Sequence, residues 1–184
     1  MRCQLERVLA RHCGPVLMGV KPSAMFPLPS WLGEYRCDLL TLYGLRYVVL
    51  KRSAGNRLAF VYRRDLLTST LSNPAAQSAL AELAYPLGGS AETLLGCLAR
   101  RVFIEPGFPH EAGFFLGYPP EDVLGFIRNK GMGFKLCGQW KVYGDEKKAL
   151  ALFAEYARCK DCLLDRLETY GTILENGRPF FTAV

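Results

Sequence analysis

A chain of 184 residues is sized for one domain, and with half of it apolar and 22% charged it has enough core material to exclude intrinsic disorder. The balance of 23 basic against 17 acidic residues leaves a net charge of +6, and the basic residues come at most in pairs such as Lys51-Arg52, Arg63-Arg64 and Arg100-Arg101, which argues against a nucleic-acid surface. No apolar run nears the roughly 18 residues of a membrane span.

Charges at Arg2, Glu6, Arg7 and Arg11 break up the N-terminus, so no secretory leader is expected. The chain therefore reads as cytoplasmic, with no membrane or nucleic-acid partner and with homo-oligomerisation left open. Seven cysteines, an odd number, are then reduced thiols serving as small core residues, metal ligands or redox groups.

Leu5, Val8, Leu9 and His12 share one helical face, and Gly14-Pro15 is expected to break that helix. Residues 12–29 are rich in Gly and Pro and carry one charge, Lys21; they read as a short strand with turns or as a packed loop. Lys21 is either a snorkelling surface side chain or an anion-binding or reactive amine. Ser30 can cap a helix carrying Leu32, Tyr35, Leu39 and Leu42, stopped by Gly44, while Cys37 lies off its stripe. The clearest β signal follows. Residues 45–52 (LRYVVLKR) and 57–63 (RLAFVYR) flank a Ser-Ala-Gly-Asn turn, which predicts an antiparallel hairpin, and the unbroken apolar run 47–50 predicts a strand covered on both faces.

Three short helices are expected at 65–71, 74–83 and 90–102. Pro74 suits a first turn, Ser90 can cap, and Leu94, Leu95, Leu98 and Val102 make a buried stripe with Cys97 beside it. Residues 112–116 (AGFFL) read as a short buried or extended strand, stopped by Tyr118-Pro119-Pro120. The second of these prolines can start a helix with Glu121 and Asp122 in its first turn, an apolar face of Val123, Phe126 and Ile127, and an end at Asn129-Lys130-Gly131. Residues 134–143 alternate as a strand with Gly138 as a bulge; Lys141 and Tyr143 share one face, Trp140 and Val142 the other, core-like face. Asp145 then caps a strong helix over 145–158 with a stripe of Ala149, Leu150, Phe153, Tyr156 and Ala157, which residues 163–167 extend or restart.

Three segments, HCGPVLMGVKPSAMF, FPHEAGFFLGYPPEDVLGFIRNKG and CGQWKVYGDEKKALALFAEYARC, resemble in order and spacing an uncharacterised bacterial family, domain of unknown function 3793. The resemblance spans nearly the whole chain. It implies no activity, ligand or catalytic residue. Within it, Cys159 fits the family pattern.

The chemistry-bearing candidates are His12-Cys13, His110-Glu111, Cys137 and the pair Cys159/Cys162. Imidazole and thiolate are ligands for zinc or iron, so His12, Cys13, His110 and Cys137 are the candidate metal set, provided that three or four converge. The same residue types could make a catalytic site of His110 with Cys13 or Cys137. Lys21, Glu111 and Lys141 are candidate ligand-binding residues. The lone C-x-x-C lacks the second pair of a zinc site. It is expected at a helix end, where the dipole raises thiol pKa values, so thiol–disulfide exchange is discounted. His110 lies in a Gly/Pro-bounded loop, where it either fixes a turn or serves a site. No phosphate-binding, nucleophile-elbow or H-E-x-x-H motif is present.

These features predict a single α+β domain over residues 1–184, with a small, mostly antiparallel sheet covered by helices. The functional expectation is a ligand- or metal-binding or regulatory protein using a His/Cys pocket. The alternatives are an enzyme with a Cys/His site and an interaction module with no ligand.

Overall fold

Alternating apolar residues form a three-stranded sheet in the order β1-β3-β2, with every pair antiparallel. The computed structural model describes residues 2–28, 40, 41, 43–51, 57–175 and 178–179. In chain order these residues form α1 (Arg2–Leu17), β1 (Ser23–Pro27), β2 (Arg46–Lys51) and β3 (Arg57–Tyr62). There follow α2 (Arg64–Leu71), α3 (Pro74–Glu82), α4 (Ala91–Ile104), α5 (Ala112–Phe115) and α6 (Pro120–Arg128). The last part holds β4 (Leu136–Cys137), β5 (Lys141–Val142), α7 (Glu146–Tyr170), β6 (Leu174–Glu175) and β7 (Arg178–Pro179). The fold is α+β, and the expected hairpin is present with Lys51 opposite Arg57 and Val48 opposite Phe60. Its turn, and most of the helix expected after Ser30, lie outside the described residues, although Leu40 and Thr41 are helical.

The period-2 alternation of β3 divides the core in two. Phe60 and Tyr62, with Leu50 of β2, face a helical layer that includes Leu67, Leu80, Leu98 and Phe115. Ala59 and Val61, with Ala24 and Phe26 of β1, face α1 and the C-terminal half of α7 through Leu9, Val16, Leu163 and Leu167. Both faces of the sheet are therefore covered, as the unbroken apolar run of β2 requires.

Four local readings are corrected. Gly14-Pro15 does not end α1, which continues to Leu17. A Cβ on Gly14 would lie 3.0 Å from Lys160 Cα, so this glycine allows α1 to pack closely on α7. Arg63 then takes up carbonyls at the end of α1, its Nε donating to Val16 O at 2.6 Å and its Nη2 to Leu17 O at 2.5 Å. Second, within the run at 112–116 residues Ala112–Phe115 form the short helix α5 and not a strand; so short a run carries no period that separates the two.

Third, residues 134–143 are not one strand but the two-residue strands β4 and β5 of a hairpin, with Gly138 in its turn. Fourth, α7 runs unbroken for 25 residues, so the C-x-x-C lies within it and not at its end. Its buried stripe is Ala149, Tyr156, Cys159, Leu163 and Leu167; Leu150 and Ala157 are exposed and Phe153 is half-buried. The N-terminal half of the helix packs on the β4–β5 hairpin through Ala149 and Tyr156, which meet Trp140 and Val142. The C-terminal half packs on α1.

Candidate functional site

The sequence around α5, α6 and the β4–β5 hairpin encloses a cavity of about 410 Å³. The loop before α5 contributes Phe108 and His110, and α5 itself contributes Ala112 and Gly113. Leu116 and Tyr118 follow, then Asp122, Val123 and Phe126 from α6. The hairpin closes the cavity with residues 137–141. Its floor is buried and apolar, while His110, Cys137 and Gln139 are exposed at the rim.

The wall is held by aromatic and carboxylate contacts. Tyr118 stacks on Trp140 with ring centroids 4.8 Å apart, and Phe153 of α7 meets Trp140 edge-on at 4.5 Å. The buried Asp122 carboxylate accepts three hydrogen bonds of 2.7 Å, from Trp140 Nε1, Tyr143 N and Gly144 N. It thereby ties the hairpin to the first turn of α6. Gly138 can turn the hairpin where it does because the Phe153 ring occupies the space that a Cβ would need. Lys141 Nζ donates to Gly131 O at 2.7 Å and lies 4.7 Å from the Phe134 ring centroid and 5.8 Å from that of Phe126. The His110 ring lies 4.7 Å from that of Phe126.

Of the residues singled out from the sequence, His110, Cys137 and Lys141 line this one cavity. His12, Cys13, Lys21 and Glu111 do not. His12 stacks on Phe26 of β1 at 4.7 Å, and burial, followed by the charge of Arg11, lowers its pKa. Cys13 belongs to the core between α1, α7 and the sheet, and burial pushes its thiol pKa up. Among the described residues no group of three or more His, Cys, Asp and Glu side chains is placed to hold a metal ion, so the set His12, Cys13, His110 and Cys137 does not assemble as one centre.

Glu111 turns away from the cavity beside it. It is buried, with Arg101 Nε 2.6 Å from its Oε1, and the same oxygen accepts from Tyr85 OH at 3.1 Å. Lys21 is buried behind the wall, its Nζ 5.2 Å from the Tyr118 ring centroid and 5.5 Å from that of Tyr156. Burial lowers its pKa from 10.5 to about 8, against the opposing influence of Cys13. Cys159 is buried and Cys162 exposed on α7, and Cys13, Cys97, Cys137, Cys159 and Cys162 are free thiols.

Tyr118, Phe126 and Asp122 were not read from the sequence as site residues. Tyr118 looked like a stop signal, Phe126 like a core face and Asp122 like a helix-dipole charge. The partner that gives Asp122 its role, Trp140, is 18 residues away, and no local pattern carries such a pairing.

The profile of the family described as Protein of unknown function (DUF3793) matches residues 9–175. The chain belongs to that family. The match takes in the whole of the cavity, so the site is part of the DUF3793 region and not an appendage to it. Comparisons with curated proteins and with solved structures find no match. Among the described residues, no helix of this DUF3793 chain is long and apolar enough to cross a membrane.

Proposed function

We propose that the protein is a small-molecule-binding protein and that the cavity between α5, α6 and the β4–β5 hairpin is its site. The observation that carries this reading is an open space of about 410 Å³ with an apolar floor and His110, Cys137 and Lys141 around it. That is the size and composition of small-ligand pockets, in which apolar walls supply affinity and a few polar groups fix orientation. The metal form of the reading is not carried forward, since His12 and Cys13 lie outside the cavity that His110 and Cys137 line, and two ligands fall short of a centre. A cytosolic setting goes with the proposal, supported by the free thiols of Cys13, Cys97, Cys137, Cys159 and Cys162.

The test is titration with N-phenyl-1-naphthylamine, a neutral dye whose emission rises in apolar surroundings. The wild-type chain is expected to bind it saturably, and Cys137→Trp, which puts an indole into the cavity from an exposed position, to abolish the signal. Cys162→Trp, exposed on α7 away from the cavity, is expected to leave it intact. Equal dye binding by all three proteins would overturn the proposal.

A second reading, an enzyme with a Cys/His site, is favoured by the placement of His110 and Cys137 on the same cavity. It requires His110 to activate the thiol, so His110→Ala would slow alkylation of Cys137 by iodoacetamide at least about tenfold at neutral pH. An unchanged rate would remove it.

A further inference from the structure

The charges around the cavity are one-sided. Among the described residues, Asp122 is the only acidic one on its lining, and both carboxylate oxygens are already taken, by Trp140 Nε1 on one side and by Tyr143 N and Gly144 N on the other. Among the same residues Lys141 is the one lysine on the lining, and no carboxylate pairs with it. Its ammonium group spends one N–H on Gly131 O and is held beside the rings of Phe126 and Phe134. Two N–H donors remain for a ligand.

The rest of the lining is aromatic to an unusual degree for so small a space: Phe108, Tyr118, Phe126 and Trp140 all contribute. Flat rings offer the most contact to a flat partner. A single cation, with no arginine fork and no second lysine on the lining among the described residues, suits one negative charge and not the multiple charges of a phosphate.

We infer that the cavity binds a planar aromatic monocarboxylate, with its ring against the aromatic walls and its carboxylate at Lys141 Nζ. The inference rests on the small-molecule reading of this cavity and adds the chemical class of the ligand. A ligand cation is disfavoured by Lys141 and finds no free carboxylate to meet it. A neutral aromatic compound retains the ring contacts and loses the ion pair.

Calorimetric titration with three ligands of one shape tests this: 2-naphthoate, 2-naphthamide and 2-naphthylmethylamine, against the wild-type chain and Lys141→Met at low ionic strength. Methionine keeps the length of the side chain over Phe126 and Phe134 and removes its charge. In the wild type, 2-naphthoate is expected to bind at least about tenfold more tightly than 2-naphthamide, and the amine more weakly than the amide. In Lys141→Met, the advantage of the carboxylate is expected to fall to within about twofold while the amide binds as before.

If naphthoate and naphthamide bind the wild type equally well, the carboxylate class is wrong and the small-molecule site stands. A carboxylate preference that survives in Lys141→Met also overturns the inference. If no naphthalene ligand binds and the neutral dye gives no signal, the site and its ligand class fall together. Circular dichroism melts of Lys141→Met show whether the variant is folded. Should it not be, Lys141→Gln replaces it, and the ligand comparison on the wild type decides without either variant.

Discussion

The indole Nε1 of Trp140 donates to Asp122 Oδ2 at 2.7 Å in a buried setting, joining the wall of the cavity to the first turn of α6. The other oxygen, Oδ1, holds the exit of the hairpin through two backbone N–H groups at 2.7 Å. An amide cannot do both jobs. In Asp122→Asn, whichever way the side chain flips, an NH2 group faces an N–H donor. The expected loss is about 2–4 kcal/mol of stability in urea unfolding, since a buried donor is left unmet and a charged acceptor is gone. A loss below about 1 kcal/mol would mean that the hairpin is held chiefly by its aromatic contacts.

Gly138 and Phe153 form a second coupled pair, because the phenyl ring fills the place of the missing Cβ. Gly138→Ala is expected to cost about 1–3 kcal/mol by overpacking, and Phe153→Ala, half-buried against Trp140, about 2–4 kcal/mol. The double variant should be more stable than the sum of these losses implies by at least about 1 kcal/mol, since removing the ring makes room for the methyl. Strict additivity in a double-mutant cycle would contradict this packing.

Such couplings mark the limit of what the sequence made legible. The β2–β3 hairpin was readable because its signal is local: two β-rich runs and a Gly-containing turn. The caps at Ser90 and Asp145 were readable for the same reason, as each side chain accepts from backbone N–H groups two or three residues on. The existence of α7 was readable, its face only in part: Ala149 and Tyr156 are buried as expected, while Leu150 and Ala157 are exposed. The helix packs on the β4–β5 hairpin with one half and on α1 with the other, so its buried stripe shifts along its length. The segments broken by Gly and Pro around His110 and Cys137 line the cavity, whereas the same kind of break at Gly14-Pro15 lies at a close helix crossing.

Lys21 is a buried amine beside two tyrosine rings, with a pKa lowered from 10.5 to about 8 by burial. Between those values the unfolded chain holds the proton and the folded chain has lost it, so the stability contributed by this group rises with pH across that window. Below pH 8 both states are charged, and the folded state bears the full cost of the buried charge. Lys21→Met should therefore be more stable than the wild type at pH 7, by up to about 3 kcal/mol, with the gap closing as the pH rises from 8 towards 10.5. A gap that stays constant over that range in chemical unfolding would show that Lys21 is not the titrating group.

Glu111 and His110 are adjacent in sequence and opposite in role. The buried carboxylate of Glu111 meets Arg101 and Tyr85, so Glu111→Gln is expected to cost about 1–3 kcal/mol by removing the charged acceptor of both and leaving the guanidinium only its pair with Glu105 at 3.0 Å. Its affinity for N-phenyl-1-naphthylamine should remain that of the wild type, because the side chain does not line the cavity. A folded Glu111→Gln protein with impaired dye binding would place Glu111 in the site after all.

The most direct test of the cavity as a binding site is a nitrogen–proton correlation spectrum of the labelled chain during titration with 2-naphthoate. The Trp140 indole N–H and the backbone amides of residues 137–141 are expected to move together and saturate with a single affinity, while resonances of α2 and α3 stay in place. Shifts centred instead on the exposed Phe103 and Ile104 of α4, or no shift at residues 137–141 at saturating ligand, would contradict the account.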